Sequence, residues 1–311
     1  MCSLVLISAA VFVFFGRASS FAEQSLPIVV TGIETVETSS SSGTMATNTP
    51  TLQSNSTIKK PAIDAKFGSA AARNSQLKLN VRWTFGGKTQ RGWFLYGKLL
   101  NELIGTDASV DSAEFAEALA DWQRMAGLPP NGVLDQATLA VIVTHWQANR
   151  LKARGYASPN ELLTAPPNDF YSPERPFELR QLERATYAAY KKMVTAAVKD
   201  KSLNLATDGK GNLAESEKFL KIISAFRSRE YQEKLRRESP NSGRAGLATN
   251  SPHFTGRALD IYVGGEPVET KDFNRAFQVQ TPAYRWLVKN AAKFGFKPYF
   301  YEPWHWEYAP D

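Results

Sequence analysis

The chain has 311 residues, 43% of them hydrophobic and 22% charged, with a formal net charge of +7. That length suits about two domains and leaves ample apolar material for a core. The basic balance fits a polyanionic partner such as an anionic cell wall. No long Lys/Arg run or nucleic-acid module is present, so no nucleic acid is expected as partner. The only cysteine is Cys2, which rules out a disulfide framework and a thiolate metal site. Any metal must be held by His, Asp or Glu.

Residues Leu4 to Phe15 are almost wholly apolar. Such a run is too short to span a bilayer and fits a signal-peptide core, with small residues around Ser20-Phe21-Ala22 as the cleavage point. No Lys or Arg precedes it, which departs from the usual pattern. Residues 1–22 are read as an export signal. The processed protein is expected in the periplasm or on the cell wall, with no stable membrane span. Residues 23–76 are read as a disordered linker, because the Ser/Thr/Asn-rich stretch from Thr38 to Lys60 has few large apolar groups to offset chain entropy.

Order is expected from Leu77, and residues 77–150 read as a mainly helical module. Phe115, Leu119, Trp122 and Met125 recur at helical spacing and Gly127 stops that helix. Pro129-Pro130-Asn131-Gly132 makes a turn, and Asp135 caps a second helix carrying Leu139 and Ile142. With Gln123, Gly127, Leu128, Asn131, Gly132, Val133 and Thr138 in this order, the segment resembles the small three-helix peptidoglycan-binding module of wall hydrolases. The resemblance implies cell-wall binding through residues 77–150; a helical spacer without ligand is the alternative.

Residues 151–176 are a Pro-rich connection and 177–311 a second domain. Leu179, Leu182, Thr186, Ala189, Met193 and Ala197 predict one face of a long helix. Asp208 to Asn212 is a loop, and Phe219 to Phe226 is strand-like. Thr281-Pro282 opens a helix that packs through Trp286, Leu287 and Phe294 and stops at Gly295.

Of three histidines, His145 lies in the first module. The other two stand in unusual contexts, one running from Ser251 through His253 and Gly256 to Asp260, the other Glu302-Pro303-Trp304-His305-Trp306. Arg257 to Val263 alternates as a strand, with Leu259, Ile261 and Val263 on the core face and Asp260 opposite. A carboxylate among apolar neighbours is costly unless paired or metal-bound. Gly256 permits a bend that returns His253 towards Asp260. Pro303 separates Glu302 from the following strand, so Glu302 can turn towards the same cavity as His305. Two His and one Asp make an N/N/O set suited to Zn2+, with a fourth position open for water and Glu302 placed to take its proton. Glu307, which shares a strand face with His305, reads as a salt bridge at the domain surface.

These two segments, with Ser224-Ala225-Phe226-Arg227-Ser228 and Gln232 before them, resemble the VanY-type D-alanyl-D-alanine carboxypeptidases over roughly residues 178–308. The resemblance implies His253, Asp260 and His305 as zinc ligands and Glu302 as general base and then proton donor. It implies that Arg227 stabilises the oxyanion or pairs with a substrate carboxylate, and that Ser251 and Gln232 contact the substrate. Ala225 replaces the usual Gly, Arg257 stands where the family often has an apolar residue, and Thr207 to Ser216 is an insertion, all of which bear on substrate preference.

The expected fold is α+β: a small antiparallel sheet with flanking helices carries the zinc site, and a separate mainly α-helical N-terminal module precedes it. The expected function is zinc-dependent removal of the terminal D-amino acid from peptidoglycan stem peptides. An endopeptidase or L,D-carboxypeptidase using the same site is the alternative, and a non-catalytic zinc- or wall-binding protein a weaker one.

Overall fold

The computed structural model describes residues 59–310 except 153 and 241–246. The expected export signal, Cys2 and the linker up to residue 58 lie outside the described residues. No helix among the described residues is long and apolar enough to cross a membrane.

Order begins well before Leu77, which corrects the linker boundary. Helix α1 (Lys59–Asn80) occupies the last part of the expected linker. It buries Phe67 and Ala70 against Ala113, Ala116 and Ala120 of the third helix. Small side chains let the two backbones approach, and they are also what made the segment look like linker. Asn74 is fully buried. Its amide donates to Gly132 O (2.9 Å) and its carbonyl accepts from Leu134 N (2.8 Å), which fixes the turn after the third helix.

A hairpin follows, β1 (Arg82–Phe85) with β2 (Lys88–Arg91). Its two-residue turn, Gly86-Gly87, has φ of 60° and 78°, which favours glycine at both positions. Then come α2 (Gly97–Ile104), α3 (Ala113–Met125) and α4 (Gln136–Ala148). Ser112 caps α3 by accepting from Phe115 N, and Asp135 caps α4 by accepting from Thr138 N. Phe115, Leu119 and Trp122 are buried as the spacing predicts, but Met125 in the last turn is 81% exposed.

The polar residues of the wall-module pattern serve the fold. Gln123 is buried; its amide shares two N–H groups among Asn131 Oδ1, Val133 O and Thr138 Oγ1, while its carbonyl accepts from Gly132 N (2.8 Å). Gln123→Ala strands several of these buried groups, so it should lower stability by about 2–4 kcal/mol in denaturant unfolding.

The module is not a free-standing body. Its core of Trp83, Trp93, Leu100, Phe115, Leu119 and Ile142 continues into Tyr299, Phe300 and Tyr301 of the C-terminal domain. The described residues all belong to one compact unit.

The expected connection is stapled rather than loose. Strand β3 (Leu162–Thr164) pairs antiparallel with β4 (Gln181–Glu183) and closes the loop between them. The long helix expected from Leu179 starts later. Leu179 ends a short 3-10 turn and Leu182 is buried in β4. Helix α5 (Arg184–Lys199) follows, with Glu183 accepting from Thr186 N. Thr186, Ala189, Met193 and Ala197 are its buried face.

The main sheet has β5 (Ile222–Ser224), β6 (Ala258–Ile261), β7 (Phe296–Pro298) and β8 (His305–Tyr308) in the order β5-β6-β8-β7, all antiparallel. The strand expected over 219–226 is confined to three residues, and on its N-terminal side Leu220, with a φ of 66°, breaks the extended backbone. Helices α6 (Arg229–Glu238), α7 (Asp272–Gln278) and α8 (Pro282–Asn290) complete the domain. Leu259, Ile261 and Trp306 pack with Tyr190 and Met193 of α5 and Leu287 of α8 in one core. Mixed helices with small antiparallel sheets are the α+β class that the sequence predicts.

Candidate metal centre and active-site cleft

The register of the sheet assembles the site. Ser224 pairs with Asp260, and Asp260 pairs with His305. Directly paired residues on adjacent antiparallel strands point to the same face, about 4.5–5.5 Å apart at Cβ. The period-2 alternation that sends Leu259 and Trp306 into the core therefore sends Asp260 and His305 to the other face.

His253 reaches that face from a short 3-10 turn, Pro252–Thr255. Ser251 opens the turn by accepting from His253 N (3.3 Å). Gly256 ends it with φ +66°, and a Cβ there would lie 2.8 Å from Glu183 N, so both conformation and space demand glycine. The bend brings His253 back over Asp260, as expected.

Three donor atoms then meet. His305 Nδ1 is 3.0 Å from Asp260 Oδ1, His253 Nε2 is 3.4 Å from the same oxygen, and the two nitrogens are 3.3 Å apart. Donors about 2.0–2.1 Å from a tetrahedral ion stand about 3.3–3.4 Å from one another. The triangle fits a metal ion of that size, and all three side chains are buried.

Outer partners fix the free lone pairs. His253 Nδ1 lies 2.6 Å from Ala225 O, a carbonyl that can only accept, so Nδ1 carries the proton and Nε2 faces the triangle. His305 Nε2 lies 3.2 Å from Glu307 Oε1 and donates to it, leaving Nδ1 for the triangle. Asp260 Oδ2 is taken by Arg227, while Oδ1 faces the histidines. Burial and the Arg227 charge push His253 down to about 4, so its imidazole is neutral near pH 7. Burial alone would also lower His305, but Asp260 and Glu307 outweigh it and hold it up at about 9.

Glu302 lies in the turn before β8, its carboxylate 4.0 Å from His305 Nδ1. Burial pushes its carboxyl up to about 8. Glu307 is not at the surface, which corrects that expectation. It is 1% exposed and its carboxylate is fully used, by Arg150, by Leu151 N (2.8 Å) and by His305. Arg150 and His305 outweigh burial and hold it well below the usual carboxylate range.

The remaining predicted residues cluster around Asp260. Besides Asp260, Arg227 donates to Ser224 Oγ (3.0 Å) and Gln232 Oε1 (3.4 Å). Gln232, expected at the substrate, sits instead behind Arg227. It is 1% exposed, its amide donates to Ala248 O, and it does not line the cleft. Ser251 lines the cleft while capping the His253 turn. His145 is on α4 beside Asn149.

The triangle opens into a cleft of about 790 Å³ whose walls include Arg150, Arg154, Arg175, Arg227, Tyr231 and Glu302. The sequence reading missed Arg150, Arg154 and Arg175. They lie outside the motifs, and no local pattern marks them; only the fold carries them to the site.

An α+β domain with a buried His/Asp/His set beside an elevated carboxyl is a site able to hold a divalent metal next to a general base. Residues 180–311 match the family model described as VanY, D-alanyl-D-alanine carboxypeptidase, and residues 98–142 match a model for a peptidoglycan binding domain. The C-terminal part is thus similar to VanY-type domains, and the part before it to peptidoglycan-binding domains. No curated protein matches the chain. Among solved structures, the LdcB LD-carboxypeptidase, reported with the molecular basis of its peptidoglycan recognition, is 23% identical, with a TM-score of 0.35 over 51% of this chain and 72% of that one. The family matches support a carboxypeptidase that acts on peptidoglycan.

Proposed function

We propose that the chain is a zinc-dependent carboxypeptidase that removes the terminal D-amino acid from peptidoglycan stem peptides outside the cytoplasm. The triangle of His253 Nε2, Asp260 Oδ1 and His305 Nδ1, with edges of 3.0–3.4 Å, carries this reading. Its two imidazoles and one carboxylate form a borderline-soft donor set that suits zinc better than Mg2+ or Ca2+, which prefer oxygen alone. A zinc ion held there supplies Lewis acidity and lowers the pKa of a bound water to about 7.

The chain's own groups do the rest. Among the described residues Glu302 has no cationic partner closer than the 4.0 Å to His305, and it lines the cleft. It takes a proton as the water oxygen attacks the scissile carbonyl carbon. It then returns that proton to the nitrogen as the C–N bond breaks. Arg227 spends three of its five N–H donors on Asp260, Ser224 and Gln232. It therefore orients Asp260 first, and the other two donors can serve the developing oxyanion. Gln232 positions Arg227.

A carboxypeptidase must also recognise a free carboxylate. Arg175 is half-buried in the cleft wall, tethered through Nε to Leu179 O (3.0 Å), and no carboxylate among the described residues lies within salt-bridge distance of it. Arg175→Ala should raise KM about 10–100-fold for a peptide ending in a free carboxylate, the worth of one charged hydrogen-bonded pair. The same change should leave the C-terminal amide of that peptide unaffected.

Incubating the protein with pentapeptide muropeptides, with zinc or with a chelator, tests the function through product masses. Loss of one D-alanine that the chelator abolishes is expected. Loss only from tetrapeptides, an internal cut, or no product would replace the reading with the L,D-specific, endopeptidase or non-catalytic alternative.

A further inference from the structure

We propose that Arg150 is a positioning residue of the metal centre, so that the N-terminal module, through the segments flanking its peptidoglycan-binding match, is a structural part of the active site and not a detachable anchor. This rests on the reading above only in taking the His/Asp/His triangle to hold zinc.

Arg150 follows α4, the module's last helix, and its backbone N–H reaches Gln147 O (3.4 Å). Its guanidinium grips Glu307 Oε1 through Nε (3.0 Å) and Nη2, while the next backbone N–H, of Leu151, holds Glu307 Oε2 (2.8 Å). Glu307 Oε1 is also the acceptor for His305 Nε2 (3.2 Å), and His305 Nδ1 is one corner of the triangle. The chain of contacts from module to ligand atom is thus Arg150, Glu307, His305.

A second route is aromatic. The Arg150 guanidinium lies 3.8 Å from the Tyr299 ring centroid, and that ring meets the His305 imidazole edge-on at 5.7 Å. Tyr299 in turn packs on Phe85 of the module's hairpin.

Glu307 is a buried carboxylate, and a buried charge left without its cation is costly. Two guanidinium groups face it, Arg150 directly and Arg154 at longer range, and both come from outside the matched residues 180–311. Without Arg150, Glu307 Oε1 loses the two guanidinium donors that hold it in place, and the carboxylate is free to turn away from His305. That change removes the acceptor that fixes the His305 tautomer and ring orientation. Outer partners of a metal-ligating histidine are typically worth 10–100-fold in metal affinity.

The test is zinc affinity of the full chain, measured by competition with a chromophoric chelator and without substrate. Arg150→Ala should bind zinc about 10–100-fold more weakly than the parent. Arg150→Lys, which keeps the charge and loses the planar fork, should fall between them. Lys78→Ala, which breaks a module ion pair with Asp111 far along the chain, should bind like the parent. The His305 Nε2 proton resonance, held by a carboxylate in the parent, should broaden or vanish in Arg150→Ala. Parent-like zinc affinity in a folded Arg150→Ala protein overturns the proposal. If that variant does not fold, parent-like affinity in a folded Arg150→Lys protein overturns it. A wrong peptidase assignment shows separately, as parent protein that binds zinc yet releases nothing from muropeptides.

Discussion

Glu302→Gln should cut turnover by about 10²–10⁴ while zinc stays bound and the fold survives. The substitution keeps the shape and removes the proton acceptor. Glu302 is suited to the task because burial holds its carboxyl up at about 8, well above an ordinary carboxylate, and because it lines the cleft. A bound dication would draw that value down, towards a base that is ionised at neutral pH. Glu307 is the acidic rival, and the structure separates the two. Its oxygens already accept from Arg150, Leu151 and His305, and it does not line the cleft. Glu307→Gln should chiefly weaken zinc binding. Measuring kcat for both variants at matched zinc occupancy checks the assignment. Near-normal turnover in Glu302→Gln with collapse in Glu307→Gln would reverse it.

His305→Ala should lose stoichiometric zinc at low free-metal concentration, and His253→Ala should behave alike, because each removes one of three protein donors. Elemental analysis after dialysis against a buffered zinc concentration reads this directly; unchanged zinc in both variants would refute the ligand set. The parent's affinity should also depend on pH. His305 is held up at about 9 by Asp260 and Glu307, so below that pH it carries a proton on Nδ1 that must leave when metal binds. Zinc affinity should therefore fall as pH drops below about 9, by about tenfold per unit while one proton is displaced.

Much of the site was legible in the sequence because its spacing is enforced locally. The alternation in Arg257 to Val263 assigns Asp260 to the face opposite Leu259 and Ile261, and the sheet keeps that assignment. Gly256 is needed where the chain turns back, and the φ of +66° with Glu183 N close by gives the reason. Other features were hidden for equally physical reasons. Helix α1 resembles linker because small and polar residues, Ala and Lys foremost, outnumber its large apolar ones, and its burial depends on a facing alanine stripe on α3 that lies far along the chain. The β1–β2 hairpin does carry a local signal, Gly86-Gly87 between Phe85 and Lys88, a pair suited to a two-residue turn. The Arg150–Glu307 contact spans 157 residues and has no local signature. Without it Glu307 looked like an exposed ion pair, and the module looked separate.

A crystal grown with zinc and measured on both sides of the zinc absorption edge tests the central claim most directly. The account predicts one anomalous peak per chain, about 2.0–2.2 Å from His253 Nε2, Asp260 Oδ1 and His305 Nδ1, with Glu302 beside it and no bond to Glu307. A peak held by other residues, or a fully occupied peak that lacks any one of these three bonds, would contradict it.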